Sequence, residues 1–265
     1  MKMKMGECKL CLVTKMLVYK SHIIPNFLYK IHALDENYKM LHFNARTRNR
    51  LRTVQTGIFD NHILCDTCEG RIGKFEAYAK KLLYPAKEDL TGNYELMNQY
   101  ENFKFENIRN IKVDYNKFKS FLISILWKMN ISIKNEYKDI ELGLHEKKFR
   151  GYLNGEIELK SDDFPCVIYK LNGYKHLDDV IMQPQKHKSR RDGTIYYFLI
   201  GEYLFTFFMS PNGLLPEEVE HCAITEFGTM AIPLIKKSHT KKIIDGWISW
   251  DPDKQEERYK NMGWI

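Results

Sequence analysis

No apolar run in the 265 residues reaches the roughly 18 needed to cross a bilayer. The best stretch, TIYYFLIGEYLFTFFMS from Thr194, is interrupted by Gly201 and Glu202 and reads as two strands joined by a tight turn. The opening MKMKMGE is basic with no apolar segment behind it, so no secretory signal is expected. Residues 91–265 hold no phosphate-binding glycine loop, no Ser-His-Asp order and no internal repeat. These absences remove nucleotide-loop, serine-hydrolase and solenoid readings for that half. Net charge is missing from it as well: residues 91–265 carry 25 Lys/Arg against 25 Asp/Glu, whereas residues 1–90 carry 16 against 9. The whole excess of +7 therefore sits in the first third, as expected if that part meets a polyanion.

The chain is 44% hydrophobic and 28% charged, the balance of an ordered globular protein. Of six cysteines, four form two Cys-x-x-Cys pairs, Cys8/Cys11 and Cys65/Cys68, and two are isolated, Cys166 and Cys222. Two such pairs make a complete tetrahedral shell for Zn²⁺, and this usage suits a reducing cytoplasm better than a disulfide framework.

A short strand is expected over Leu12 to Tyr19, ended by Pro25, with His22 near its tip. Phe27, Ile31 and Leu34 have helical spacing over Asn26 to Asp35. Arg46, Arg48, Arg50 and Arg52 follow at every second position. In an extended chain they would share one face about 6 to 7 Å apart, close to the phosphate spacing of a nucleic-acid strand. A glycine turn and a second short strand lead through Asp60 to Cys65. A helix from about Cys68 to Leu83 then presents Ile72, Phe75, Ala79, Leu82 and Leu83 to a core. Glu69 and Glu76, two turns apart, lie on one side of it.

Leu90 to Asn110 is polar and aromatic-studded and is taken as the boundary between a domain of residues 1–90 and one of 91–265. Asp114 to Ser132 reads as a buried helix and Glu136 to Leu153 as one or two more. Strands follow over Pro165 to Leu171, Asp179 to Met182, Ile195 to Ile200, Tyr203 to Met209 and, bent at Gly228, His221 to Leu234. Helices followed by successive strands argue for an α+β domain with an antiparallel sheet. The segment carrying Trp247, Trp250 and Trp264 is expected to pack back onto it.

Taken in order, Cys8-x-x-Cys11, Ser21-His22-Ile23-Ile24-Pro25, Asp60 and Leu64-Cys65-x-x-Cys68-Glu69 resemble the zinc-containing HNH endonucleases of the ββα-metal class. The match covers about the first 85 residues. It implies a ββα-metal, treble-clef-like zinc domain with Cys8, Cys11, Cys65 and Cys68 on a structural zinc. His22 falls on the family's general base, Asp60 on the residue that orients it, and Glu69 on a ligand of the catalytic metal. Two positions depart from the pattern: Ser21 replaces a metal-binding Asp and Glu69 a His. A carboxylate there would favour Mg²⁺ or Mn²⁺, with Glu76 or Asp60 supplying what Ser21 cannot.

The expected function is metal-dependent hydrolysis of DNA phosphodiester bonds by a bacterial restriction or antiphage (antiviral defence) effector, with RNA left open as substrate. The residues 91–265 would select substrate, dimerise or receive a signal. Cutting both strands with a single-metal site needs two active sites, so a homodimer is expected. The rival is a non-catalytic, zinc-stabilised nucleic-acid-binding module that keeps the cysteines and the arginine row but gives His22 and Glu69 no task.

Overall fold

A computed structural model describes residues 4–31, 40–43, 51–54, 57–85, 94–96, 105–172, 180–189, 193–209 and 215–248. The chain opens with a hairpin of β1 (Lys4–Glu7) and β2 (Thr14–Leu17), joined through the first cysteine knuckle. It continues into β3 (Ser21–His22), which ends before Pro25, and α1 (Asn26–Ile31), within the segment expected to be helical. β4 (Met40–Phe43) and β5 (Leu51–Val54) form a second hairpin. Gly57, at a φ of +69° that favours glycine, then turns the chain into β6 (Phe59–Asp60), the antiparallel partner of β3. A side chain at Gly57 would also strike the ring of Tyr29, whose hydroxyl accepts the Ile58 N–H at 3.1 Å.

α2 (Asp66–Leu83) buries Ile72, Ala79, Leu82 and Leu83, with Phe75 packed at the margin. Next come β7 (Tyr94–Leu96) and β8 (Phe105–Lys112), where a connection was expected. β8 pairs with strands on both sides although its FENIRNIK sequence does not alternate, and its Ile111 is buried in the core. α3 (Tyr115–Ile131) matches expectation: the Asp114 side chain caps it by accepting the Lys117 N–H at 3.1 Å, and Ser132 ends it. A 3₁₀ turn (Asn135–Tyr137) and α4 (His145–Asn154) follow. Then come β9 (Cys166–Leu171), β10 (Val180–Ser189), β11 (Gly193–Ile200), β12 (Tyr203–Phe208), β13 (Thr229–Ile235) and α5 (Lys237–Ile248). Of the strand expected from His221 to Leu234, the part before the Gly228 bend, at φ +74°, is the end of a 3₁₀ turn (Glu217–Cys222) followed by irregular chain, and the part after it is β13.

Among the described residues the main sheet has nine strands in the order β5-β4-β10-β11-β12-β9-β13-β8-β7, antiparallel except at β4/β10 and β9/β13. The protein is thus mixed α and β with predominantly antiparallel sheets. One core joins the cysteine knuckles, α2, α3 and α4 to the sheet face of Tyr196, Phe198, Phe205 and Phe207. A second covers the opposite face, where Tyr197, Leu199, Leu204 and Phe208 meet Cys222 and Ile243. The division expected at residue 90 separates neither sheet nor core: β4 and β5 belong to the sheet built by the later strands, and α2 lies against α3. Trp250 and Trp264 lie outside the described residues, as does Leu34 of the expected first helix. No described helix is long and apolar enough to cross a membrane.

α3 is buried on every side from Phe118 to Met129, as suits a helix trapped between sheet and helices, yet it carries Lys119 and Lys128 into that interior. The Lys119 ammonium donates to the carbonyl oxygens of Asp163 (2.5 Å) and Phe164 (3.3 Å). Burial pulls its pKa down to about 8. An unfolded lysine titrates near ~10.4, so between those values the unfolded chain binds more protons and stability rises with pH. The penalty is full below pH 8 and relieved above the unfolded value, and amounts to at most about 3 kcal/mol. Urea unfolding of wild type and Lys119→Met at pH 7 and pH 10 should show a smaller rise in the variant. An identical rise in the two would remove Lys119 as its source.

Candidate functional site

The four cysteines converge. Their Sγ atoms all lie within 4.8 Å of one another, and Cys8, Cys65 and Cys68 are buried. Tetrahedral thiolate binding at a Zn–S distance of about 2.3 Å needs sulfurs about 3.8 Å apart, so this set fits a structural zinc. Backbone geometry prepares it. The first knuckle is a tight turn, with Leu12 N–H on the Cys8 carbonyl (2.8 Å) and Leu12 itself at φ +56°. Cys65 precedes the first turn of α2 and donates its own N–H to Cys8 Sγ at 3.3 Å. Burial works to raise the Cys8 pKa, but backbone donors from Cys11, Cys65 and Leu10 win and bring it down to about 7. Burial and the neighbouring sulfurs push Cys68 the other way, as expected for crowded thiols.

The knuckles bind two distant segments together. Lys9 N–H reaches the Ile63 carbonyl (2.9 Å), Val18 N–H the Leu64 carbonyl (2.9 Å), and Leu17 bridges Cys65. These bonds extend β2 alongside residues 62–65 and deliver β3 to β6. In that ribbon Ser21 stands opposite Asp60 and His22 opposite Phe59. Successive side chains alternate, so Ser21 and Asp60 share the inner face, and His22 and Phe59 the outer one. Ser21 and Asp60 are accordingly buried and His22 half-buried.

On the inner face the Ser21 hydroxyl donates to Glu69 Oε2 at 2.5 Å, joining residues 48 positions apart. Burial raises the Glu69 pKa, opposed by the Lys128 ammonium and the Ser21 hydroxyl. Asp60 Oδ2 accepts the Ile133 N–H at 3.2 Å, and Lys134 Nζ approaches Oδ1 at 3.9 Å. Oδ1 accepts no hydrogen bond from the described residues although it is buried. Asp60 therefore holds the segment after α3 against the ribbon, on the face away from His22, where the resemblance had it orienting that imidazole. The His22 ring instead meets the edge of Phe59, centroids 6.0 Å apart.

Glu76, expected on a catalytic metal with Glu69, is held otherwise. Its Oε1 takes the Lys128 ammonium at 2.7 Å, and that lysine is 1% exposed. Lys128 is the site residue that the sequence reading missed. Its signal was a lysine within the apolar run SFLISILWKMNI, where a helix buried all round forces any charge to find a partner. Among the described residues only the four cysteines form a group of three or more His, Cys, Asp or Glu with converging ligand atoms. Arg46, Arg48 and Arg50 lie outside the described residues, and Arg52 is on β5, opposite His42.

No protein-family model, curated protein or solved structure matches the chain, so its chemistry is argued from this geometry. Two outcomes are expected. Purified protein should carry one zinc per chain by elemental analysis. Cys68→Ser should release it and lower Tm by roughly 10 °C or more, since the free energy of metal binding feeds directly into folding. Retention of stoichiometric zinc by Cys68→Ser would remove the four-thiolate assignment. Lys128→Met strands the Glu76 carboxylate and should lose about 2 to 4 kcal/mol in urea unfolding, much of it recovered in the double variant with Glu76→Gln. Additive losses would mean that the two side chains do not act as a pair.

Proposed function

We propose that the chain is a zinc-stabilised endonuclease of the HNH, ββα-metal type that hydrolyses DNA phosphodiester bonds. The observation that carries the reading is the Ser21–Glu69 contact at 2.5 Å. It joins the two positions that correspond to the family's metal ligands, with His22 next in the chain and on the solvent-facing side. The order ribbon, then helix, clasped by two cysteine knuckles supports the same reading.

The residues divide the work as follows. His22 takes the proton from the water that attacks phosphorus, a task for a neutral imidazole. Glu69 and the Ser21 hydroxyl would hold a divalent ion, with Asp60 as second carboxylate; its buried Oδ1, short of a hydrogen-bond donor among the described residues, is the feature that fits such a cation. Two carboxylates, a hydroxyl, water and a substrate phosphate make an oxygen shell suited to Mg²⁺ or Mn²⁺. When bound, such an ion supplies neutralisation of charge on the scissile phosphate and the departing oxygen. Lys128 keeps Glu76 out of that shell and adds a fixed positive charge beside it.

A second reading has a specific observation behind it. Glu76 and Asp60 both serve contacts that fasten α3 and its following turn to the N-terminal segment, as they would in a non-catalytic nucleic-acid-binding module. A role in restriction or antiphage defence, with a homodimer cutting both strands, belongs to the nuclease reading as its biological setting.

The test is supercoiled plasmid incubated with protein and Mg²⁺ or Mn²⁺, beside His22→Ala and Glu69→Gln. The nuclease reading expects nicking by the parent, a fall of at least about 100-fold in His22→Ala from loss of general-base catalysis, and a comparable fall in Glu69→Gln that added Mn²⁺ does not repair. Retention of DNA without cleavage under either ion would leave the binding module.

A further inference from the structure

Lysines that fasten this fold end on carboxylates or carbonyls: Lys128 on Glu76, Lys170 on Glu202, Lys186 on Glu141 and Lys119 on two backbone oxygens. Lys20 is held in another way. The residue is exposed, yet its ammonium lies 4.4 Å over the centroid of the Phe59 ring and 6.0 Å from that of Tyr19, and among the described residues no carboxylate pairs with it. The difference is chemical. A carboxylate fixes a lysine and cancels its charge, whereas a ring face attracts the ammonium through its quadrupole and leaves both the charge and the N–H donors turned away from the ring for another acceptor.

The place of this cation is as particular as its seat. Lys20 stands two positions before His22, and its contact with Phe59 puts it on the same outer face of the ribbon as that imidazole. Phe59 serves both neighbours: it is the cross-strand partner of His22, its ring meets the imidazole edge with centroids 6.0 Å apart, and it carries the ammonium. Two residues of extended chain span about 6 to 7 Å, close to the separation of neighbouring phosphates along a nucleic-acid strand. Ser21, between them in sequence, turns to Glu69 on the inner face.

We infer that Lys20 binds the phosphate next to the scissile one, so that the substrate is a polynucleotide strand with at least two successive phosphodiesters and not an isolated diester. The inference deepens the nuclease reading and rests on it for the scissile phosphate beside His22. The half-buried Phe59 ring restrains the ammonium before substrate arrives, which lowers the ordering cost of the contact. A lysine offers a point charge, suited to a backbone group that every base sequence presents alike. Lys20 moves no proton in this account. The neighbouring phosphate keeps its charge throughout the reaction, so the contact is equally strong in ground and transition states and acts through KM instead of kcat.

The test compares full-length wild type, Lys20→Met and Lys20→Arg on two substrates in Mg²⁺ or Mn²⁺, with zinc content and Tm checked for each protein. One substrate is a DNA duplex; the other is bis(para-nitrophenyl) phosphate, whose single diester has no neighbouring phosphate. Lys20→Met should raise KM for DNA about tenfold with kcat little changed, and lower the ratio of kcat/KM on DNA to that on the single diester by the same factor. It should also flatten the slope of log kcat/KM for DNA against log salt by about 0.9. Lys20→Arg, which keeps the charge, should recover most of the loss. An unchanged ratio, whether from no loss on DNA or from equal loss on both substrates, overturns the proposal. So does a loss that Lys20→Arg fails to recover, which would trace to packing on Phe59. Hydrolysis of the single diester but not of DNA by the wild type overturns it too, while keeping His22 and Glu69 as a hydrolytic pair. Where the wild type cuts DNA and spares the single diester, KM and the salt slope on DNA decide in the same way. Hydrolysis of neither substrate by the wild type sinks the nuclease reading itself, and the phosphate contact with it.

Discussion

Everything near His22 hangs on the closure of Cys8 and Cys11 onto Cys65 and Cys68. A two-residue ribbon such as β3–β6 has far too little backbone pairing to hold itself together in water. It exists because the knuckles bring residues 17–18 alongside 62–65 and feed the chain on in register, so that Ser21 falls opposite Asp60. The same closure fixes the start of α2, since Cys65 is the residue before its first turn and Glu69 takes its amide bond from the Cys65 carbonyl at 2.9 Å. A sulfur cluster thereby sets the distance between a serine on one strand and a glutamate on a helix. Neither element would find the other through apolar packing alone.

The second constraint comes from α3. Its apolar girth makes it the common wall of the N-terminal elements and the large sheet, and it carries charge into places where charge must be matched. Lys128 meets Glu76 of α2, the turn after α3 gives its Ile133 amide to Asp60, and Arg71 of α2 donates to the Leu153 carbonyl (3.3 Å) and Asn154 Oδ1 (3.2 Å) at the end of α4. Asn154 in turn donates to the Leu10 carbonyl in the first knuckle at 2.9 Å. Each bond joins residues from opposite sides of position 90. A buried ion pair adds little net stability but strongly penalises any arrangement that leaves one partner unmatched. The Lys128–Glu76 pair therefore disfavours shifts of α2 along α3 that would leave either charge unmatched.

Local chemistry was legible in the sequence where it obeys local rules. The cysteine pairs announced their cluster, Asp114 and Ser132 bracketed α3 to the residue, and strands such as Ile195 to Ile200 showed in their β-branched and aromatic content. What stayed hidden depends on partners far along the chain. The FENIRNIK strand carries no alternation, because its place is set by β13 and β7. The hairpin of β4 and β5 joins the main sheet through a parallel contact with β10, nearly 140 residues later, and no periodicity in residues 40–54 encodes that. Asp60 read as a site carboxylate because it falls on a motif position, and Glu76 because it lies two helical turns from Glu69. Spacing cannot reveal a buried lysine on another helix, which is what decides the environment of Glu76.

The alternation of side chains along β3 divides the candidate site between two faces of the ribbon. Ser21 and His22 are consecutive, so their side chains leave opposite faces of the ribbon, Ser21 toward Glu69 and His22 toward Phe59. On the outer face the His22 ring meets the edge of Phe59, and the Lys20 ammonium lies over that same phenyl ring.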